Sequence, residues 1–229
     1  MNSLDAYRKR LKRLIRHILL PWMDPYIAAC LSNPIGWGLA ILHYIAEFPL
    51  LVLDCLGMPE FFGFIQARFK AEARPLHARE LQAASPVFEG LVSLQKIRID
   101  ETSRVGTHNG KYAYVSYYCV NSLGRLSIPV LMHEIVHVLQ FEQAGSAYLF
   151  RNLMAHLSKA KYNYGGIERL KQLLNKPWEV HRLNYEQRAD IVSDYYLVQE
   201  GLRPEWGSAT REDLPIYKEV ILKLFGKAG

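Results

Sequence analysis

The rhythm of hydrophobic and polar positions changes twice along this chain. Over residues 4–18, Leu4, Tyr7, Leu11, Leu14, Ile15 and Ile18 recur at helical spacing while Arg and Lys fill the other face. This predicts a basic amphipathic helix, of the kind that lies on an anionic membrane surface, docks on an acidic partner, or packs its apolar stripe on its own protein. Residues 17–67 then contain no Lys or Arg at all. Their most apolar part, Ile35 to Leu53, matches the length of about 20 residues that spans a bilayer. Glu47 and Pro49 interrupt it and His43 adds a polar group. Three expectations stay open here: a membrane-inserting hairpin behind a positive arm, a pair of helices buried on the following domain, or an apolar surface covered by a partner.

From Arg68 onward the pattern is that of an ordinary globular domain, which divides the chain into an apolar helical region, 1–70, and a domain over 74–229. Residues 76–84 predict a short helix. Leu94 to Ile99 alternates as a strand, and Lys111 to Cys119 (KYAYVSYYC) predicts a second strand beyond the turn residues Gly106, Asn109 and Gly110. The tyrosines at 112, 114, 117 and 118 are expected as half-buried strand residues. Further helices are predicted from Ser127 (as cap) to Gly145, from 147 to 161, from 167 to 174, from Asn184 to Gly201 and over 211–225. The expected fold class is α+β, mostly helical, with a small antiparallel sheet beside the helix that starts at Ser127.

Composition narrows the function classes. The chain has 229 residues, half of them apolar, and a net charge of +6. Most of that charge sits in Arg8, Lys9, Arg10, Lys12, Arg13 and Arg16, opposed there only by Asp5. The remainder is nearly neutral, so nucleic acid is not an expected partner. Cys30, Cys55 and Cys119 are widely spaced, with no C-x-x-C, which predicts free thiols rather than disulfides or a thiolate metal site. A signal peptide fits poorly, because Pro21, Asp24 and Pro25 break the apolar run ahead of the box Ile27-Ala28-Ala29-Cys30. A cytoplasmic or membrane-associated protein is expected.

The chemistry is concentrated in His133-Glu134-Ile135-Val136-His137. Two histidines four apart share one face of a helix and can reach one metal ion at about 2.0–2.1 Å. Glu134, on the adjoining surface, can act on a metal-bound water without being a ligand. Zn²⁺ is the default ion for two imidazoles completed by a carboxylate. The helix opening at Asn184 carries Glu186, Asp190 and Asp194 four apart, and burying three carboxylates calls for something positive nearby. The plain alternative is a core helix with two satisfied histidines.

H-E-x-x-H followed by a helical E-x-x-x-D resembles the gluzincin pattern of zinc peptidases. The resemblance implies Glu186 as third metal ligand and Asp190 as hydrogen-bond partner of a ligand histidine, which such a histidine needs for its other ring nitrogen. Asp194 either extends that network or faces solvent. A more specific likeness runs through residues 74–200. It is carried by Arg74-Pro75-Leu76, by the H-E-x-x-H-x-x-Q helix ending at Gln140, and by Tyr185-Glu186-Gln187-Arg188-Ala189-Asp190-Ile191-Val192-Ser193-Asp194-Tyr195-Tyr196. These segments resemble the small zinc-metallopeptidase-like domain of bacterial contractile-injection-system and Vgr-related proteins. The resemblance implies a zincin-like domain, a peptide or protein substrate and association with a secretion system. It does not cover the first 70 residues. In many zinc peptidases an edge strand beside the motif helix binds the substrate backbone, and the same is expected here. Tyr164, His181, Tyr185 and Tyr195 are the candidate oxyanion donors. A zincin-like structural or adaptor protein without turnover is the rival reading.

Overall fold

The computed structural model describes residues 3–23, 27–28, 31, 34–70, 72–104, 106–107, 110 and 112–226. Cys30, Asn109 and Lys111 lie outside them, as does part of the box at 27–30. The amino-terminal region contributes α1 (Ser3–Leu19), α2 (Pro34–Cys55) and α3 (Met58–Phe69). Then come β1 (Arg74–Pro75), α4 (Ala78–Phe88), β2 (Arg98–Asp100), β3 (Tyr114–Ser116) and β4 (Cys119–Asn121). The remainder is helical: α5 (Ile128–Ala144), α6 (Ala147–Leu157), α7 (Gly166–Asn175), α8 (Tyr185–Gln199) and α9 (Leu214–Phe225).

Helix α5 carries the H-E-x-x-H sequence and forms the centre. Leu131, Met132, Ile135, Val136, Val138 and Leu139 fill one broad face of it, and Glu134, His137, Gln140 and Phe141 are buried on the rest of its circumference. Such a helix needs cover on every side. α8 lies along it, with α4, α6 and β3 also against it. Pro129 stands in its first turn and Gly145, at φ 65°, closes it. Both fit the sites that suit them: a missing N–H costs nothing at a helix start, and glycine accepts a positive φ.

The sheet corrects the expected antiparallel arrangement. Its order is β1-β2-β4-β3, and β2 pairs with β4 in parallel, so the sheet is mixed. Leu94–Lys96 is a turn of 3-10 helix rather than strand. Leu94 and Ile97 must both face inward, and a spacing of three does this in a 3-10 turn. Only from Ile97 to Ile99 does alternation serve the core. The expected strand 111–119 is instead a hairpin, with Ser116 opposite Cys119 and only Tyr117 and Tyr118 between them. Tyr117 takes φ 58°, a left-handed conformation costing about 1–3 kcal/mol for a non-glycine residue. Its ring packs edge-on to Phe141 at 4.4 Å and against Phe62 at 5.0 Å. Helix α6 also stops at Leu157, short of the expected 161.

The amino-terminal helices are packed by their polar faces. Arg10 donates to Glu60 Oε2 at 2.6 Å and to the Asp54 carbonyl at 3.2 Å, and His17 Nε2 donates to the Tyr44 carbonyl at 3.0 Å. The apolar stripe of α1, namely Leu4, Tyr7, Leu11, Ile15 and Ile18, is exposed. Along α2 the inward row is Ala40, His43, Glu47, Leu51 and Asp54. Arg151 of α6 donates to Glu47 through Nε at 2.8 Å and through Nη2, and His43 Nδ1 donates to the same carboxylate at 3.0 Å. Ser146 donates to Asp54 from its amide at 2.9 Å and from its hydroxyl. Among the described residues one helix, Gly36–Cys55, is long and apolar enough to cross a membrane.

Candidate metal centre

The two motif histidines lie one turn apart on α5, and α8 is pinned beside them by its start. Asn184 accepts from the Gln187 amide at 2.8 Å while Gln187 Oε1 accepts from the Asn184 amide at 2.9 Å. This reciprocal cap satisfies two free amides of the helix end. It also ties α8 to the preceding chain, since Asn184 donates to the Lys161 carbonyl and Gln187 to that of Asn163. The Glu186 carboxylate consequently reaches α5. Its Oε2 lies 3.1 Å from His133 Nε2 and 3.4 Å from His137 Nε2, and the two Nε2 atoms are 3.1 Å apart. One ligand atom from each of these three residues falls within 4.8 Å of the others.

The outer nitrogens fix the tautomers. His133 Nδ1 donates to Asp190 Oδ1 at 2.7 Å. His137 Nδ1 donates to Gln140 Oε1 at 2.9 Å, and Gln140 in turn donates to the Tyr185 carbonyl at 3.0 Å. With Nδ1 protonated in both rings, both Nε2 lone pairs point into the space that Glu186 also faces. Three lone-pair-bearing atoms so close repel one another unless a cation stands among them. Without a metal ion, protons must do so. Burial alone would lower the His133 pKa, but the carboxylates of Asp190 and Glu186 outweigh it and bring it to about 10. The same histidines hold Glu186 well below the usual carboxylate range against the effect of its own burial. The donor set of two neutral imidazoles and one carboxylate fits Zn²⁺.

Among the described residues two buried carboxylate oxygens are without a hydrogen bond, Glu134 Oε2 and Glu186 Oε1. His156 Nε2 is 3.2 Å from Glu186 Oε1, close enough for an ion pair but off the direction of a hydrogen bond. Glu134 is buried, and burial raises its pKa, which suits a group that must take up a proton. It lines a cleft with both histidines, Tyr148, Asn152, His156, Tyr162 and the β3 residues Tyr114 and Val115. β3 is an edge strand of the sheet, and it runs beside this cleft.

The other sequence-predicted residues lie elsewhere. Asp194 contacts neither histidine and does not face solvent. It is buried, accepting from Tyr164 at 2.7 Å and from the amides of Glu205 and Trp206. It thereby holds the segment from which Trp206 Nε1 donates to Asp190 Oδ2 at 2.6 Å. Tyr164 is engaged by Asp194 and Tyr217, and Tyr195 is a core residue near Tyr217. Tyr185 directs its hydroxyl to Arg151. His181 lines a different cavity with Arg13, Glu47 and Arg188. None of these four lines the cleft that holds both motif histidines and Glu134. The groups that do, Tyr148, His156 and Tyr162, come from α6 and the loop after it. Sequence offered one hint of this layer: Gln140 is a polar residue three positions beyond His137 in an apolar helix.

Comparison with protein-family models, curated proteins and solved structures finds no match to this chain.

Proposed function

We propose that this chain is a zinc-dependent metallopeptidase with a zincin-like, gluzincin-type arrangement. The observation that carries the reading is the convergence of His133 Nε2, His137 Nε2 and Glu186 Oε2 while both Nδ1 atoms are held by Asp190 and Gln140. Those three side chains would hold Zn²⁺. When bound, the ion supplies Lewis acidity toward a water and a peptide carbonyl.

The chain's own residues do the rest. Glu134, in a dry wall of the cleft, accepts the proton of the attacking water and hands it to the leaving amine nitrogen. Its buried, unpartnered Oε2 is the atom free to do so. The edge strand β3 aligns an extended peptide by strand addition across the cleft. His156 and Tyr162, whose rings lie 5.8 Å apart on the cleft wall, are the donors available to the developing oxyanion. The segments that resemble the injection-system metallopeptidase domain are those that build this centre, which supports a secretion-system association.

The test is zinc content together with cleavage of an unfolded protein. One zinc per chain is expected, and Glu134→Gln should retain it while losing about 10²–10⁴-fold in rate. Glu186→Ala should lose zinc. Stoichiometric zinc with no hydrolysis by the wild type would favour an adaptor role. Undiminished zinc affinity in Glu186→Ala would remove the third ligand.

A further inference from the structure

The amino-terminal helices have inverted polarity. On α2 the buried row includes His43, Glu47 and Asp54, while Trp37, Ile41, Leu42, Ile45 and Phe48 face outward, Ile45 at 64 % exposure. On α1 the basic side chains Arg10 and Arg13 turn inward and the apolar stripe turns out. α3 adds Phe61 and Phe64, with Leu56 just before it 75 % exposed. A water-facing surface of this kind is far larger than the scattered apolar residues a soluble monomer shows. Polar groups satisfied inside and apolar groups outside is the arrangement expected of a protein part whose solvent is hydrocarbon.

Charge identifies what covers this face. Arg8, Lys9, Lys12 and Arg16 are exposed on α1 beside its apolar stripe. Behind α1 and α3 a cavity of about 830 Å³ is lined by Lys9, Arg10, Arg13, Lys70, Lys96 and Arg98. Among the described residues its acids are Asp54 and Glu142, and of its cations Arg10 and Lys70 are paired with Glu60 and Asp100 beyond it. An apolar face rimmed by excess cations complements an anionic lipid bilayer. A second copy of this chain would bring a second set of the same cations to the rim.

We infer that α1, α2 and α3 dock this protein on an anionic membrane by inserting their outward apolar faces. The surface reaches the candidate metal centre. Leu149, Leu153 and Leu157 form an exposed row on α6, and Leu149 also lines the cleft with His133 and Glu134. The row runs between Phe150, which meets His43 of α2 at 4.9 Å, and the cleft residues Asn152 and His156. The cleft therefore opens at the edge of the docked face. The docking itself does not depend on the peptidase reading.

The test floats the full chain with phosphatidylcholine vesicles, with or without phosphatidylglycerol. Flotation with the anionic vesicles, at least about 10-fold above the neutral ones, is expected. Trp37 fluorescence should be quenched by brominated acyl chains. Ile41→Asp/Ile45→Asp should lose about 10-fold or more of the binding. Its side chains are exposed, so helicity by circular dichroism and zinc content should stay at wild-type values. Three results would overturn the inference. One is a wild type that stays at the bottom of the gradient with both vesicles. Another is a lipid-free dimer that Ile45→Asp dissociates, which would give the face to a second copy. The third is flotation lost in Arg8→Glu/Lys12→Glu but untouched in the isoleucine variant, which would leave only surface adsorption.

Discussion

Two groups of buried charge flank helix α6, and they are built differently. At one, Glu47 and Asp54 are enclosed and every carboxylate oxygen accepts a hydrogen bond, from Arg151, His43 or Ser146. At the other, Glu134 and Glu186 each keep an oxygen without a hydrogen bond, and two imidazole nitrogens face each other at 3.1 Å. Glu47, Asp54, Glu134 and Glu186 are all buried. Burial of charge thus does not separate a structural cluster from a functional one; completeness does. The Glu47 group carries its own cation and closes on itself. The Glu186 group is directional and keeps acceptor atoms without a hydrogen bond, an arrangement that the Zn²⁺ of the proposed function would complete.

The largest effect that could break this contrast is in the closed group. Arg151→Met leaves Glu47 buried without its guanidinium, and a loss of about 3–5 kcal/mol is expected in chemical denaturation. Glu47→Leu/Arg151→Met removes both charges and should recover most of that loss, because an apolar pair of similar volume does not have to be desolvated. A double variant as unstable as the single one would show that the cluster fixes the fold by more than charge pairing. Neither variant should alter zinc content.

The open group was the more legible of the two in sequence. His133 and His137 share a helix face by spacing alone, and Asn184 with Gln187 marks the start of α8 closely enough to set the phase of Glu186 and Asp190. These features are local, written within one helical turn. The rest depends on where distant segments close. Tyr162 enters the cleft because α6 ends at Leu157 and the chain turns there, and Trp206 reaches Asp190 because Asp194 binds the backbone of its loop. The hairpin at Tyr117 carries no turn signature in sequence, having neither Gly nor Asn, and aromatic packing stabilises it instead. The orientation of α1 was illegible for a different reason. Its amphipathic period is plain, but a period does not say which face meets protein, and Asp54, 41 residues beyond its partner Arg13, and Glu60, 50 residues beyond its partner Arg10, decide it.

A middle-sized effect tests whether the open group is held from outside. Asp190 keeps His133 Nδ1 protonated and so directs Nε2 inward. Asp190→Ala should weaken zinc binding by about 10–100-fold in competition with a chromophoric chelator. Asp190→Asn can still accept from Nδ1 and should lie at the lower end of that range. An unchanged affinity in Asp190→Ala would mean that α5 alone orients the ring, and the group would then resemble the closed one in needing nothing beyond itself.

The smallest effect concerns the loop behind Asp190. Trp206 Nε1 donates to Asp190 Oδ2 at 2.6 Å, and its amide is fixed by Asp194. Trp206→Phe keeps most of the packing and deletes one donor to a carboxylate. Asp190 then gains rotational freedom but retains His133, so a decrease of about 3-fold in zinc affinity is expected, below the roughly 10–100-fold range for direct outer partners of a ligand. Asp194→Asn acts on the same loop through two backbone amides and the Tyr164 hydroxyl, so its loss should fall mainly on stability. If Trp206→Phe equals Asp190→Ala in zinc affinity, the indole rather than the carboxylate sets the ring, and the unfinished group extends one layer further into the fold than its three ligands and their two partners.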